Sequence, residues 1–133
     1  MKSSQWSVGQ VAERFGLATN VLRHWESVGL LEPQRDAADR RRYGPDDVVR
    51  IAVIQRSKAA GMSLEQIAVL LDSESPGRHA LLEEHIAAID RTIAEMELSR
   101  AMAEHAFHCE AHDITKCPQF RSHLDDLLAG FEA

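Results

Sequence analysis

The stretch VGQVAERFGLATNVLRHWESVGLL, Val8 to Leu31, decides how the rest of the chain is read. Ser7 stands three residues before Gln10, the spacing of a capping box, and so opens a helix. Val8, Val11, Ala12 and Phe15 fall on one side of that helix. Gly16 is suited to end it in a left-handed conformation. A second helix is expected from about Thr19 to Val28, with Gly29 as its stop. Two short helices joined by a tight glycine-bearing turn are the helix-turn-helix signature.

The segment EPQRDAADRRRY follows, with Pro33 opposing helix and arginines at 40, 41 and 42. It is the one place where a short two-stranded hairpin, a wing, fits. Pro45-Asp46-Asp47 suits the first turn of a third helix, ending at Gly61, with Val48, Ile51, Ala52 and Ile54 apolar. Ser63 to Gln66 repeats the capping box and opens a fourth helix, to about Asp72, with Ile67, Leu70 and Leu71 inward. The expected fold is all-α with a small β-hairpin wing. A winged helix-turn-helix head over 1–72 is followed by a linker and long helix over 73–107. Residues 108–133 form a C-terminal loop and a short amphipathic helix.

The long helix is expected from roughly His79 to Phe107. Its apolar residues Leu82, Ile86, Ile89, Ile93, Met96, Ala103 and Phe107 step by four and three, with Arg100 filling one gap. That is a coiled-coil seam, which one helix cannot bury alone. The small head offers little cover, so a helix of a second subunit is the expected partner, giving an antiparallel pair in a homodimer.

The formal net charge of -6 argues at first against nucleic acid, yet the charge is uneven. Residues 1–71 carry ten Lys/Arg against eight Asp/Glu, and 72–133 carry five against thirteen. A basic head on an acidic tail is compatible with DNA at the head only. Thr19 and Asn20 are polar residues near the start of the second helix, where base edges are read. Arg23, one turn on, and Arg40, Arg41 and Arg42 in the wing are placed for phosphate, and His24 is a further candidate. Isolated arginines usually form a solvated face, but three in a row in an acidic chain favour the phosphate reading. Phe15 is expected in the core, as tryptophan and phenylalanine usually are, Trp25 included.

No apolar run is long enough to cross a bilayer, and no apolar segment of a secretion signal follows Met1. Two cysteines are too few for a secreted disulfide framework, so a reducing cytoplasm is expected. Neither a Ser/His/Asp nor a Cys/His arrangement sits in a recognisable context, and no phosphate-cradling glycine loop is present, so an enzyme is not expected.

Taken together, VGQVAERFGL, TNVLRHWESVGLL, RRRYGPDDVVRI and GMSLEQIAVLLD resemble, in order, the MerR family of bacterial transcription regulators, over about the first hundred and ten residues. Ala18 stands where the family usually has a capping serine, leaving Thr19 to take the cap. His24-Trp25 replace a Tyr-Tyr pair, while Arg41 and Tyr43 match the wing's arginine and tyrosine. The resemblance implies a homodimer on a pseudo-palindromic promoter, with Tyr43 among the DNA-side residues. It also implies effector-driven bending and untwisting of a promoter with a long spacer, so that RNA polymerase engages.

It further implies an effector site after the long helix, where HCEAHDITKC, His108 to Cys117, lies. Its two cysteines have seven residues between them and a proline after, which resembles the metal-responsive branch, especially its copper(I)-efflux regulators. Two thiolates suit a two-coordinate Cu(I), whereas Zn(II) prefers four donors, for which Cys109, Cys117 and His112 with His108 or His79 are available. An iron–sulfur cluster on four cysteines is excluded by count. Three readings stay open at this point: metal or thiol-redox sensing, two structural thiols seating the C-terminal helix, or an organic effector beneath that helix. His85, His105 and His123 are taken as surface or helix-packing residues.

Overall fold

The computed structural model describes residues 5–131. Its elements are α1 (Val8–Phe15), α2 (Thr19–Ser27), β1 (Gln34–Arg35), β2 (Arg41–Arg42), α3 (Pro45–Ala59), α4 (Leu64–Leu71) and α5 (Arg78–His108). A 3-10 turn (Ile114–Lys116), α6 (Pro118–Ser122) and α7 (Asp125–Leu128) follow. The chain divides into two compact units between Leu82 and Glu83. No helix among the described residues is long and apolar enough to cross a membrane.

The first unit forms as its local signals require. Both capping boxes close, Ser7 with Gln10 and Ser63 with Gln66. Gly16 ends α1 at φ 67°, and its N–H reaches back to carbonyls of the last turn. Asp47 accepts the Gly44 N–H at 2.8 Å and so fixes the start of α3 behind Pro45. The expected cap of α2 is corrected: Ala18 is the N-cap and makes no side-chain hydrogen bond, while Thr19 is already helical. The start of α2 therefore lacks the side-chain bond that is worth about 1 kcal/mol elsewhere.

The wing is an antiparallel pair with Gln34 opposite Arg42 and Arg35 opposite Arg41. Asp36 shapes its turn, accepting the Ala38 and Arg40 amides at 2.9 and 3.0 Å, while Asp39 takes the left-handed conformation at φ 61°. Those amides, that of Arg40 first, together with the Arg42 guanidinium, hold the Asp36 carboxyl below its ordinary pKa. Trp6 and Tyr43 exchange backbone hydrogen bonds at 2.9 and 2.8 Å, tying the chain ahead of α1 to the wing's exit.

The core belongs to this unit. Val11 and Ala12 of α1, Leu22 and Trp25 of α2, Leu30, Leu31 and Tyr43, Ile51 and Ile54 of α3, Met62, and Ile67 of α4 are buried together. Of the apolar positions Val48, Ile51, Ala52 and Ile54, the buried face of α3 runs through Ile51 and Ile54, and Ala52 is exposed. Tyr43 requires a correction. Its side chain is 0% exposed, so it is a core residue and no surface contact to DNA. Its hydroxyl has no hydrogen-bond partner among the described residues. Burial, followed by the charge of Glu26, raises its pKa.

Helix α5 starts at Arg78 in the first unit, continues into the second, and runs for 31 residues, about 46 Å at 1.5 Å per residue. Much of its seam stays in water in the single chain: Ile86 is 60%, Met96 64% and Phe107 84% exposed, while Leu82 and Ile89 are half-buried. The expected single C-terminal helix is corrected to two short ones. After Ser122 the amides of His123 and Leu124 bond three residues back, to Phe120 and Arg121, which tightens and ends α6. Asp125 and Asp126 then supply an acidic first turn for α7.

A partnerless buried hydroxyl costs stability without return. Tyr43→Phe is therefore expected to leave thermal stability equal or to raise it by up to about 1 kcal/mol, with DNA affinity within twofold. A large loss of affinity in anisotropy titrations would restore Tyr43 to the interface.

Candidate functional site

Two sets of residues carry chemistry, one in each unit. In the first, α2 presents Asn20, Arg23 and His24 exposed on its outer side, with Thr19 half-buried, while Leu22 and Trp25 point into the core. The 3.6-residue period forces this division. Among the described residues Arg23 has no carboxylate partner, so its charge is free to meet an anion.

The wing arginines are differently placed from what their sequence run implies, since each has an acidic partner. Arg40 and Arg42 reach Asp36 at 3.3 and 3.2 Å. Arg41 hydrogen-bonds through Nε to Glu26 on α2, and the other oxygen of Glu26 receives Arg35 at 3.5 Å. One carboxylate thus fastens both wing strands to α2. Glu26, which the sequence reading does not single out, is a tie between wing and helix. The signal was weak, because its partners lie nine and fifteen residues away across a hairpin. These half-exposed pairs are screened by water, so their consequence is orientation rather than stability.

In the second unit the cysteines meet. Cys109 closes the last turn of α5, its N–H donating to the His105 carbonyl at 2.8 Å. Cys117 lies before α6, where the Phe120 amide lowers the pKa of its thiol; partial burial opposes this, and the Cys109 thiol and Gln119 amide add to the lowering. His105 Nε2 lies 3.5 Å from Cys117 Sγ. The donor atoms of His105, Cys109 and Cys117 all fall within 4.8 Å of one another, each residue half-buried. The histidine in this cluster is therefore His105 and not His112, which is exposed in the intervening loop and outside the group. A helical step of four residues puts His105 and Cys109 on one face of α5, whereas nearness in sequence does not aim His112 inward. The His105 ring packs on those of Phe120 and His123, with centroids 5.8 and 5.6 Å away. His79 belongs to the other unit. Two thiols and an imidazole, close but without a disulfide, are a donor set for a soft or borderline metal ion.

Residues 6–74 match the MerR HTH family regulatory protein, and residues 48–105 match the family's region described as "MerR, DNA binding". The chain belongs to the MerR family. It is a DNA-binding transcriptional regulator and not an enzyme. It is 32% identical over 119 residues to the HTH-type transcriptional regulator HmrR of Rhizobium leguminosarum bv. viciae, covering 84% of this chain and 92% of that one. It is 32% identical over 121 residues to heavy metal-dependent transcription regulator 1 of Rhizobium meliloti (strain 1021), covering 84% and 82%. Among solved structures it resembles HiNmlR, a MerR family regulator lacking the sensor domain, bound to promoter DNA. That match has a TM-score of 0.64 at 26% identity and covers 77% of this chain and 83% of the other. It also resembles PbrR691 from Ralstonia metallidurans CH34 in complex with lead(II), with a TM-score of 0.53 at 27% identity, covering 88% and 98%.

The Glu26 clamp has a measurable consequence for this MerR-type head. Glu26→Gln removes one negative charge and frees two guanidiniums, so affinity for random DNA should rise severalfold at low salt, with a steeper salt dependence. The ratio of operator to random binding should fall, because the wing is no longer held against α2. An unchanged ratio would show that Glu26 does not set the wing's position. For Cys117 the lowered pKa means that thiolate persists to lower pH than in an ordinary thiol. Alkylation at Cys117, followed by peptide mass spectrometry against pH, should show a midpoint below that of a free cysteine thiol. A midpoint at or above it would contradict the stabilising amides.

Proposed function

We propose that this MerR-family regulator is a homodimer that reads the two halves of a pseudo-palindromic promoter and responds to a thiophilic metal ion held by Cys109 and Cys117. The observation that carries the effector half is the convergence of both thiols with an imidazole at the C-terminal end of α5. The relative named heavy metal-dependent transcription regulator 1 and the lead(II) complex of a structural neighbour support the same effector class. The residues present fit such an ion: two sulfur donors and one nitrogen donor lie close enough to share it. Bound there, the ion would link the end of α5 to the loop before α6.

In each head Thr19 and Asn20 meet base edges, while Arg23 and His24 meet phosphate. Arg40, Arg41 and Arg42 present their remaining N–H groups to the backbone beside the groove, from positions fixed by Asp36 and Glu26. Leu82, Ile86, Ile89, Ile93 and Met96 form the dimer seam against an antiparallel copy of α5. The exposure of that seam in the single chain supports this, since a long apolar stripe left in water calls for a partner. Effector binding shifts the population between two arrangements of the dimer, and RNA polymerase then engages the distorted promoter. The site of action is the cytoplasm.

Native mass spectrometry of reduced protein tests both halves together. The expected species is a dimer carrying Cu(I) or Zn(II) when either is supplied. Cys109→Ser and Cys117→Ser should each abolish the transcriptional response to metal, while the metal-free dimer still binds operator with normal affinity. A metal response that survives either substitution would remove the thiols from the effector site. A monomer at micromolar concentration would remove the seam.

A further inference from the structure

His105 lies outside the His108–Cys117 segment, yet it is the side chain the fold brings to the thiols. We propose that His105 is a third metal donor, and that the site takes a divalent d10 ion of the Zn(II) class through two thiolates, one imidazole and a solvent ligand. This rests on the reading of Cys109 and Cys117 as effector ligands, and it narrows the ion they take.

The His105–Cys117 separation is that of neighbouring, not opposed, donors on one ion. With metal–sulfur and metal–nitrogen bonds near 2.3 and 2.1 Å, donors on opposite sides of an ion stand about 4.4 Å apart. At a tetrahedral angle they stand about 3.6 Å apart. His105 Nε2 and Cys117 Sγ are separated by 3.5 Å. His105 and Cys109 are fixed to each other by the last turn of α5, whose closing hydrogen bond runs between their own backbones. The imidazole is also held by its neighbours: Phe120 and His123 pack on it, which limits its rotation before any ion arrives. Room for a fourth ligand exists, because a cleft of about 690 Å³ borders the cluster, lined by Glu104, His105, His108, Cys109, Glu110 and His123 among others. Three protein donors and an open position suit zinc-class ions, whereas a two-coordinate monovalent ion has no use for the third.

The test uses the reduced, metal-free full-length protein titrated with Co(II) as an optical probe for Zn(II), and separately with Cu(I) against a chromophoric Cu(I) chelator. The wild type should give the intense visible bands of tetrahedral Co(II) with thiolate charge transfer, and Zn(II) should displace them. His105→Phe keeps a ring in the packed position and removes the donor. It should weaken Co(II) and Zn(II) binding by about a hundredfold or more, above what outer-shell partners cost, and change Cu(I) affinity less than tenfold. His105→Cys should restore divalent binding with stronger charge transfer, which separates loss of a donor from loss of the fold. If His105→Phe leaves Zn(II) affinity unchanged, or if His105→Cys fails to restore binding, His105 is not a donor. Tight Cu(I) uptake by a wild type that gives no tetrahedral Co(II) spectrum would also overturn the proposal, with the two-thiol effector site left standing. A wild type that takes up neither ion would overturn both.

Discussion

The carboxylate of Glu26 is the point at which the DNA-reading head is held together outside its core. Without it, the wing is a hairpin of two-residue strands, too small to hold an orientation alone. With it, Arg35 on one strand and Arg41 on the other are drawn to a single residue of α2. Asp36 plays the matching part inside the wing, where it accepts two amides and meets two guanidiniums. The outcome is a set of arginines whose charge faces outward while their position is fixed from within. Phosphate contacts carry no sequence information by themselves, but they set register. On the proposed reading, a rigid link between a phosphate-binding wing and a base-reading α2 is what allows register to become discrimination.

The core beneath explains why the wing leaves the helices where it does. Tyr43 follows β2 directly and is wholly buried, and its backbone pairs with Trp6. The wing is thereby anchored at its exit by apolar burial and at its strands by ion pairs. These two kinds of attachment respond differently to conditions. Burial is nearly indifferent to salt, whereas half-exposed ion pairs weaken as salt screens them. High salt therefore loosens the wing's aim before it threatens the fold.

Much of this was legible in the sequence, because the relevant interactions are local. Ser7 with Gln10, Ser63 with Gln66, and the glycine at 16 declare helix ends through bonds spanning three or four residues. The seam of α5 was visible as periodicity, and the helix runs from Arg78 to His108, one residue beyond expectation at each end. What sequence reading missed depends on distance or on a choice between close alternatives. Glu26 is joined to Arg41 across fifteen positions, and nothing in the spacing announces it. The resemblance puts Tyr43 on the DNA side, although its position directly after a wing strand leaves either face available. His112 lies between the cysteines in sequence, yet a loop residue has no fixed direction, whereas His105 stands one helical step before Cys109. The His-x-x-x-Cys interval ending α5 was the signal available. The division of the C-terminal helix was also written in the chain, in the paired aspartates at 125 and 126 that suit a new helix start better than a helix interior.

The placement of the thiols constrains how an effector acts, on the proposed reading. Of the three clustered donors, His105 sits in the last turn of α5, and Cys109 follows that helix directly, tied to it by the bond from its N–H to the His105 carbonyl. The third, Cys117, is carried by the segment between α5 and α6, where the backbone is a bend and a single 3-10 turn. An ion that joins them therefore gains most from the arrangement in which this segment is drawn onto the end of α5. It can shift the population only by its preference for that arrangement over others. Since α5 also carries the seam, whatever orders its C-terminal end acts on the element through which two copies would meet. The coupling then needs no separate relay. It follows from placing the rigid donors on the dimer helix and the movable one beside it.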